Sequence, residues 1–148
     1  MCKNKHDCKS PKECQDKRNT WLERTEKYVP IGRREHKKFI ERMKSGEATI
    51  VLDRHLKKRK VERSVNTKDL LDVFYNGWVI ERNKTDGPIA LVLMGYVGNH
   101  RHPLHVVIHQ LAGDKWIVIT SYNPQTHHWK WSDNYNERVC FCNFEDEF

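Results

Sequence analysis

The chain has 148 residues and a net charge of +7, with 37% hydrophobic and 32% charged residues. This length fits one compact domain with an extension rather than two full domains. The longest apolar run, Ile89 to Val97, is too short to span a bilayer, and the polar N-terminal residues do not have the pattern of a secretory signal. The sequence therefore predicts a cytoplasmic protein with no membrane contact.

The positive charge is concentrated in the first half of the chain. Residues 1–68 contain 21 Lys or Arg and 10 Asp or Glu, whereas residues 69–148 contain 6 and 10. A basic half beside a slightly acidic half indicates a polyanionic partner, because the summed positive potential attracts anions to one face. The alternative is a solvated helix face, and charge alone does not separate the two.

The five cysteines lie near the ends of the chain. Their odd number does not indicate a disulfide framework, which is consistent with a reduced, intracellular protein. Their spacings also fit zinc ligation poorly, so we expect no metal and no other cofactor. The cysteines are Cys2, Cys8, Cys14, Cys140 and Cys142.

Residues 1–45 are predicted to form a basic N-terminal extension that is helical or partly disordered. Its first, very polar part is expected to end at Pro30. From Gly32 to Ser45 an apolar stripe at helical spacing predicts a helix, formed by Phe39, Ile40 and Met43. A short β-branched strand is expected from Glu47 to Leu52.

Residues 46–148 are predicted to form an α+β domain that begins with this strand. A very basic helix is expected from Arg54 to Arg63, and a second helix from Asn66. Asn66 and Asp69 have capping-box spacing, and Gly77 stands where a helix-ending glycine is expected.

After Gly77 the residue pattern changes from that of helices to that of β-strands. Short links with turn residues require antiparallel neighbours, so we predict a β-meander of about four strands with the helices packed on one face. The expected strands are 78–82, 89–97, 104–109 and 115–122. From Asn123 onward the chain is expected either to fold back on the sheet or to form a short helix.

His55, Arg59 and Arg63 recur at every fourth position of the basic helix. On a helix they fall within roughly 80° of one face. A histidine titrates near neutral pH, and arginine forks match phosphate, so this face is suited to metal-free RNA cleavage. His55 would act as base or acid while the arginines hold the phosphate. The alternative is that these charges solvate the helix and His55 caps or packs at its start.

Further basic residues are predicted to contact nucleic acid. Most lie on the same helix, one lies in the loop at residues 99–102, and one lies between two tryptophans near the C-terminal end. The loop residue either lines the same cleft or belongs to a plain exposed turn. These candidates are Arg54, Lys57, Lys58, Lys60, Arg101 and Lys130.

The stretch from His55 to Gly77 combines His-x3-Arg-x3-Arg with a capped helix and a glycine, and two strand motifs follow at 104–107 and 117–124. This set resembles a small prokaryotic family of unknown function that is placed with the BrnT and RelE-like toxins. The resemblance covers about residues 50–131. It implies a ribonuclease-toxin fold, an antitoxin partner and five candidate catalytic residues: His55, Arg59, Arg63, His105 and Tyr122.

Two functions are therefore expected, and the oligomeric state is left open. The first is a toxin-type ribonuclease that resembles mRNA interferases and cleaves RNA by metal-independent acid–base chemistry. The second is a non-catalytic basic module that binds nucleic acid or an acidic protein. A nuclease needs the basic helix and a sheet residue such as His105 or Tyr122 to meet in one open cleft, whereas a module needs only an exposed basic face.

Overall fold

The computed structural model describes residues 11–52, 66–84, 88–112 and 114–141. Within these ranges it contains two α-helices, a 3-10 helix and one five-stranded sheet, which confirms the predicted α+β class. The sheet order is β1-β5-β4-β3-β2. The elements are α1 (Pro11–Lys44), β1 (Thr49–Leu52), α2 (Thr67–Asn76), β2 (Trp78–Asn83), β3 (Ala90–Val97), β4 (His102–Gln110), β5 (Lys115–Tyr122) and the 3-10 helix (Pro124–Lys130).

Helix α1 continues through Pro30, so the expected end of a first segment at this proline is wrong. A proline inside a helix removes one backbone donor, but packing of the helix against the sheet offsets that loss. The described part of the region predicted as an extension is therefore helix, and its second half packs on the sheet. Its buried residues there are Val29, Gly32, His36 and Phe39.

Helix α2 begins and ends as its sequence predicts. The Asn66 side chain accepts a hydrogen bond from the Asp69 amide at 2.8 Å, and the Gly77 amide donates to the Val73 carbonyl at 2.8 Å. A Cβ atom on Gly77 would collide with the carbonyl oxygens of Val73 and Met94. Glycine is therefore required here because the end of α2 and strand β3 approach each other closely.

Strands β2 to β5 form the predicted antiparallel meander, with each boundary within two residues of expectation. β1 adds a fifth strand, which pairs in parallel with β5 from Thr49↔Lys115 to Leu52↔Val118. β2 is the other edge strand, and its pairing with β3 has a bulge at Ile80. The meander thus occupies most of the sheet, and β1 closes the opposite edge.

Both faces of the sheet are covered. α1 and α2 pack on the first face, where Phe39, Phe74 and Trp116 form part of the larger apolar core. The segment 124–141 begins with the 3-10 helix and folds back over the second face. The chain here therefore both forms a short helix and covers the sheet, as the two expectations had it. A smaller core lies beneath it, made of Ile80, Val92, Met94, Val107 and Trp131.

The end of this covering segment also contacts the beginning of α1. The Phe141 amide donates to Cys14 Sγ at 3.1 Å, and the Trp21 and Phe141 ring centroids lie 6.3 Å apart. Cys14 and Cys140 are buried thiols and not halves of a disulfide. None of the helices in the described part of the chain is both long and apolar enough to cross a membrane.

Candidate nucleic-acid interface

Seven of the predicted site residues lie outside the described ranges. They all belong to the basic segment between β1 and α2, so their helical spacing and their roles remain predictions. The three candidate catalytic residues among them are His55, Arg59 and Arg63, and the four candidate RNA contacts are Arg54, Lys57, Lys58 and Lys60.

The other two candidate catalytic residues lie side by side on the second face of the sheet. His105 of β4 pairs with Tyr122 of β5, and their ring centroids are 5.1 Å apart. Trp131, in the segment 124–141, also packs against His105, and the two ring centroids lie 4.4 Å apart. His105 is completely buried and Tyr122 is partly buried. The fold thus brings these two residues together beneath residues 124–141, which we call the C-terminal segment.

The environment of His105 holds its imidazole neutral. Its Nε2–H donates to the Tyr135 carbonyl at 2.9 Å, which sets the tautomer because a carbonyl only accepts. Burial lowers the pKa of His105 to about 3; the hydrogen bond opposes this shift and the Arg138 charge adds to it. In this conformation His105 has no solvent contact, so it supports the packing of the C-terminal segment.

A buried ion pair holds the same segment on the sheet. Arg138 Nε lies 3.1 Å from Glu81 Oε2, and both side chains are only 5% exposed. The Arg138 guanidinium also lies over the Trp131 ring at 4.9 Å. Because each buried charge is compensated by the other, this pair fixes the segment against β2.

An open basic groove lies between α1 and the edge strand β2. It has a volume of about 290 Å³ and is lined by Arg24, Tyr28, Arg82 and Lys84. Arg82 Nε is bound to Glu35 Oε1 at 2.6 Å, whereas Arg24 and Lys84 are exposed. Arg82 is therefore already paired, and the two exposed cations beside the Tyr28 ring suit a phosphate group, because arginine forks and lysine ammonium groups bind its oxygens.

The exposed face of α1 extends the positive charge beyond the groove. Lys27, Arg34 and Lys38 are exposed and lie within roughly 80° of Arg24 around the helix axis. This side of the helix therefore continues from the groove as one basic surface. We call the groove together with Lys27, Arg34 and Lys38 the basic surface.

The two remaining predicted contacts differ in their accessibility. Lys130, at the end of the 3-10 helix, is buried, whereas Arg101 is exposed in the turn between β3 and β4. The groove itself was not expected from the sequence. Arg24 and Lys84 are 60 positions apart, and only the packing of α1 against β2 brings them together.

Comparisons with protein-family models, with curated proteins and with solved structures found no match to this chain. The resemblance to toxin ribonucleases therefore remains a prediction from the motifs. Within residues 11–52, 66–84, 88–112 and 114–141, no group of three or more His, Cys, Asp or Glu side chains is arranged to hold a metal ion.

Proposed function

We propose that the protein binds RNA through the basic surface. The observation that carries this proposal is the open groove lined by Tyr28 and by the exposed Arg24 and Lys84. Cations in such a groove neutralise backbone phosphates and release the counterions condensed on the nucleic acid. The imbalance of +11 in residues 1–68 supplies the long-range attraction.

The double variant Arg24→Ala/Lys84→Ala tests this proposal. We expect weaker binding to single-stranded RNA and a shallower dependence on salt, because each lost phosphate contact lowers the slope of log K against log salt by about 0.7. The measurement is fluorescence anisotropy with a labelled RNA at several salt concentrations.

The matched control is Lys44→Ala/Lys115→Ala, which removes two exposed cations near the opposite edge of the sheet. Equal losses in the two double variants would mean that net charge alone attracts RNA and that the groove is not the site. If both double variants bind RNA as tightly as the wild type, the basic surface is not the RNA-binding site.

A second proposal is that the protein is a toxin-type ribonuclease with an antitoxin partner. The spacing of His55, Arg59 and Arg63 supports it, since one helical face would combine an acid–base group with phosphate-holding cations. The burial of His105 favours the non-catalytic alternative, because this sheet residue does not reach an open cleft. The ribonuclease and the non-catalytic module would both bind RNA, and only the ribonuclease would cleave it.

Cleavage of labelled RNA in the presence of EDTA, by wild type and by His55→Ala, tests the ribonuclease proposal. We expect the wild type to cleave and His55→Ala to lose about a hundredfold or more in rate while still binding RNA. His100→Ala, which removes an exposed histidine from the β3–β4 turn, should cleave normally. If the wild type binds RNA but leaves it intact, the protein is a binding module.

A further inference from the structure

Two large aromatic side chains are exposed next to each other at one end of the sheet. Trp78, at the start of β2, is 37% exposed, and Tyr96, near the end of β3, is 38% exposed. Their ring centroids lie 6.4 Å apart with an interplanar angle of 46°. Both lie on the second face, since Trp78 pairs with Met94 and Tyr96 follows Met94 by two residues.

The surroundings hold these rings in place. The Trp78 indole N–H donates to Asn136 Oδ1 at 2.8 Å, which orients its ring on the edge strand. The Arg101 guanidinium lies 5.8 Å from the centre of the Tyr96 ring. Arg101 has a φ of 49°, a backbone conformation that is unfavourable for a residue with a side chain. The turn thus keeps a cation against an exposed aromatic ring in spite of backbone strain.

An exposed aromatic pair beside an arginine offers two kinds of contact to one ligand. The rings offer flat apolar surfaces that any base can stack on, and the guanidinium attracts phosphate or stacks in turn. Bases in a duplex are already stacked on their neighbours, so such a surface selects unpaired nucleotides. An acidic protein would satisfy the arginine but leave the two ring faces without a flat partner.

We propose that Trp78, Tyr96 and Arg101 form a stacking site for unpaired bases of RNA. This proposal rests on the proposed RNA binding and adds its preference for single strands. Trp78 is four positions from Arg82 along β2, a distance of about 13 Å. Because the groove and Trp78 lie on opposite faces of β2, a single strand would occupy both sites by passing around this edge, with one stretch of backbone in the groove and the bases of a neighbouring stretch on the aromatic pair.

The test compares the affinities of wild type and Trp78→Ala/Tyr96→Ala for a labelled oligouridine and for an RNA duplex of equal length. We expect the variant to lose about tenfold in oligouridine affinity for each aromatic ring and to retain its duplex affinity. Trp78→Phe, which preserves an aromatic face, should retain most of the single-strand affinity. Leu111→Ala, at an exposed position at the opposite end of the sheet, serves as the control. Circular dichroism melting checks that each variant is folded.

The results distinguish a failure of the stacking site from a failure of the proposed RNA binding. If the wild type binds neither RNA, the proposed RNA binding fails and the stacking site fails with it. If the wild type binds both RNAs and the double variant binds oligouridine as tightly as the wild type, only the stacking site is overturned. An equal loss for duplex and single strand would also overturn it, because stacking predicts a selective effect.

Discussion

Two buried histidines act as neutral hydrogen-bond donors in this protein. His36 Nε2–H donates to the Phe74 carbonyl at 2.7 Å, which connects α1 to the last part of α2. His105 makes the corresponding bond to Tyr135 and connects β4 to the C-terminal segment. Burial is the main cause that lowers the pKa of each imidazole. Both side chains therefore favour the folded state only while they are uncharged.

The pKa of His105 predicts a loss of stability in acid. An unfolded chain protonates this histidine near pH 6.5, whereas the folded protein does so only near pH 3. Its contribution is therefore complete above pH 6.5 and is lost as the pH falls toward 3. We expect His105→Gln to reduce the pH dependence of the unfolding free energy by about 1.4 kcal/mol per pH unit between pH 5.5 and 4.5.

Urea denaturation at a series of pH values measures this slope. His100→Gln, at an exposed histidine in the turn between β3 and β4, is the matched control. A wild-type slope in His105→Gln as well would mean that the buried imidazole is not the group that causes the loss of stability in acid.

At the scale of the elements, glycines set how closely the helices approach the sheet. A Cβ atom on Gly32 would lie 3.0 Å from Leu91 Cδ2, so α1 could not lie as near to β3. At Gly77 the obstacles are backbone carbonyl oxygens, which have much less freedom to move than a side-chain tip. The junction between α2 and β2 is therefore the less tolerant of the two positions.

Gly77→Ala should lower the free energy of unfolding by about 3 kcal/mol, because the added methyl group forces two backbone segments apart. Gly46→Ala is the informative comparison. Gly46 has a φ of 83° and nothing within 4 Å of an added Cβ, so only backbone strain of about 1 kcal/mol is expected there. Equal effects in urea denaturation would contradict the steric explanation.

The elements differ in how well the sequence predicts them. The meander strands are short apolar runs rich in β-branched residues and are joined by short turns, so the local pattern is sufficient to predict β2 to β5. The predicted end of the first segment at Pro30 is wrong, because the burial of Val29 and Gly32 outweighs the effect of the proline on α1. That burial depends on strands that are distant in the sequence. The site was harder still. Neither the burial of His105 nor the meeting of Arg24 with Lys84 leaves a local signal, since both arise from packing between distant segments.

At the scale of the whole molecule, the proposed contacts gather along one edge of the sheet. The basic groove borders β2 on the side of α1, and Trp78 lies on the same strand on the opposite face. The C-terminal segment reaches this strand as well, through Arg138 on Glu81 and Asn136 on Trp78. Changes in how that segment packs would therefore alter the geometry of the stacking site directly.

The bulge at Ile80 affects whether copies of the protein can associate through the edges of their sheets. An edge strand presents unpaired backbone groups on which another chain could add a strand, and in this way sheets polymerise. β2 opposes such growth because the bulge interrupts its register and the exposed Lys84 places a positive charge at its end. β1, at the other edge, is only four residues long. Both borders of the sheet thus discourage edge-to-edge association.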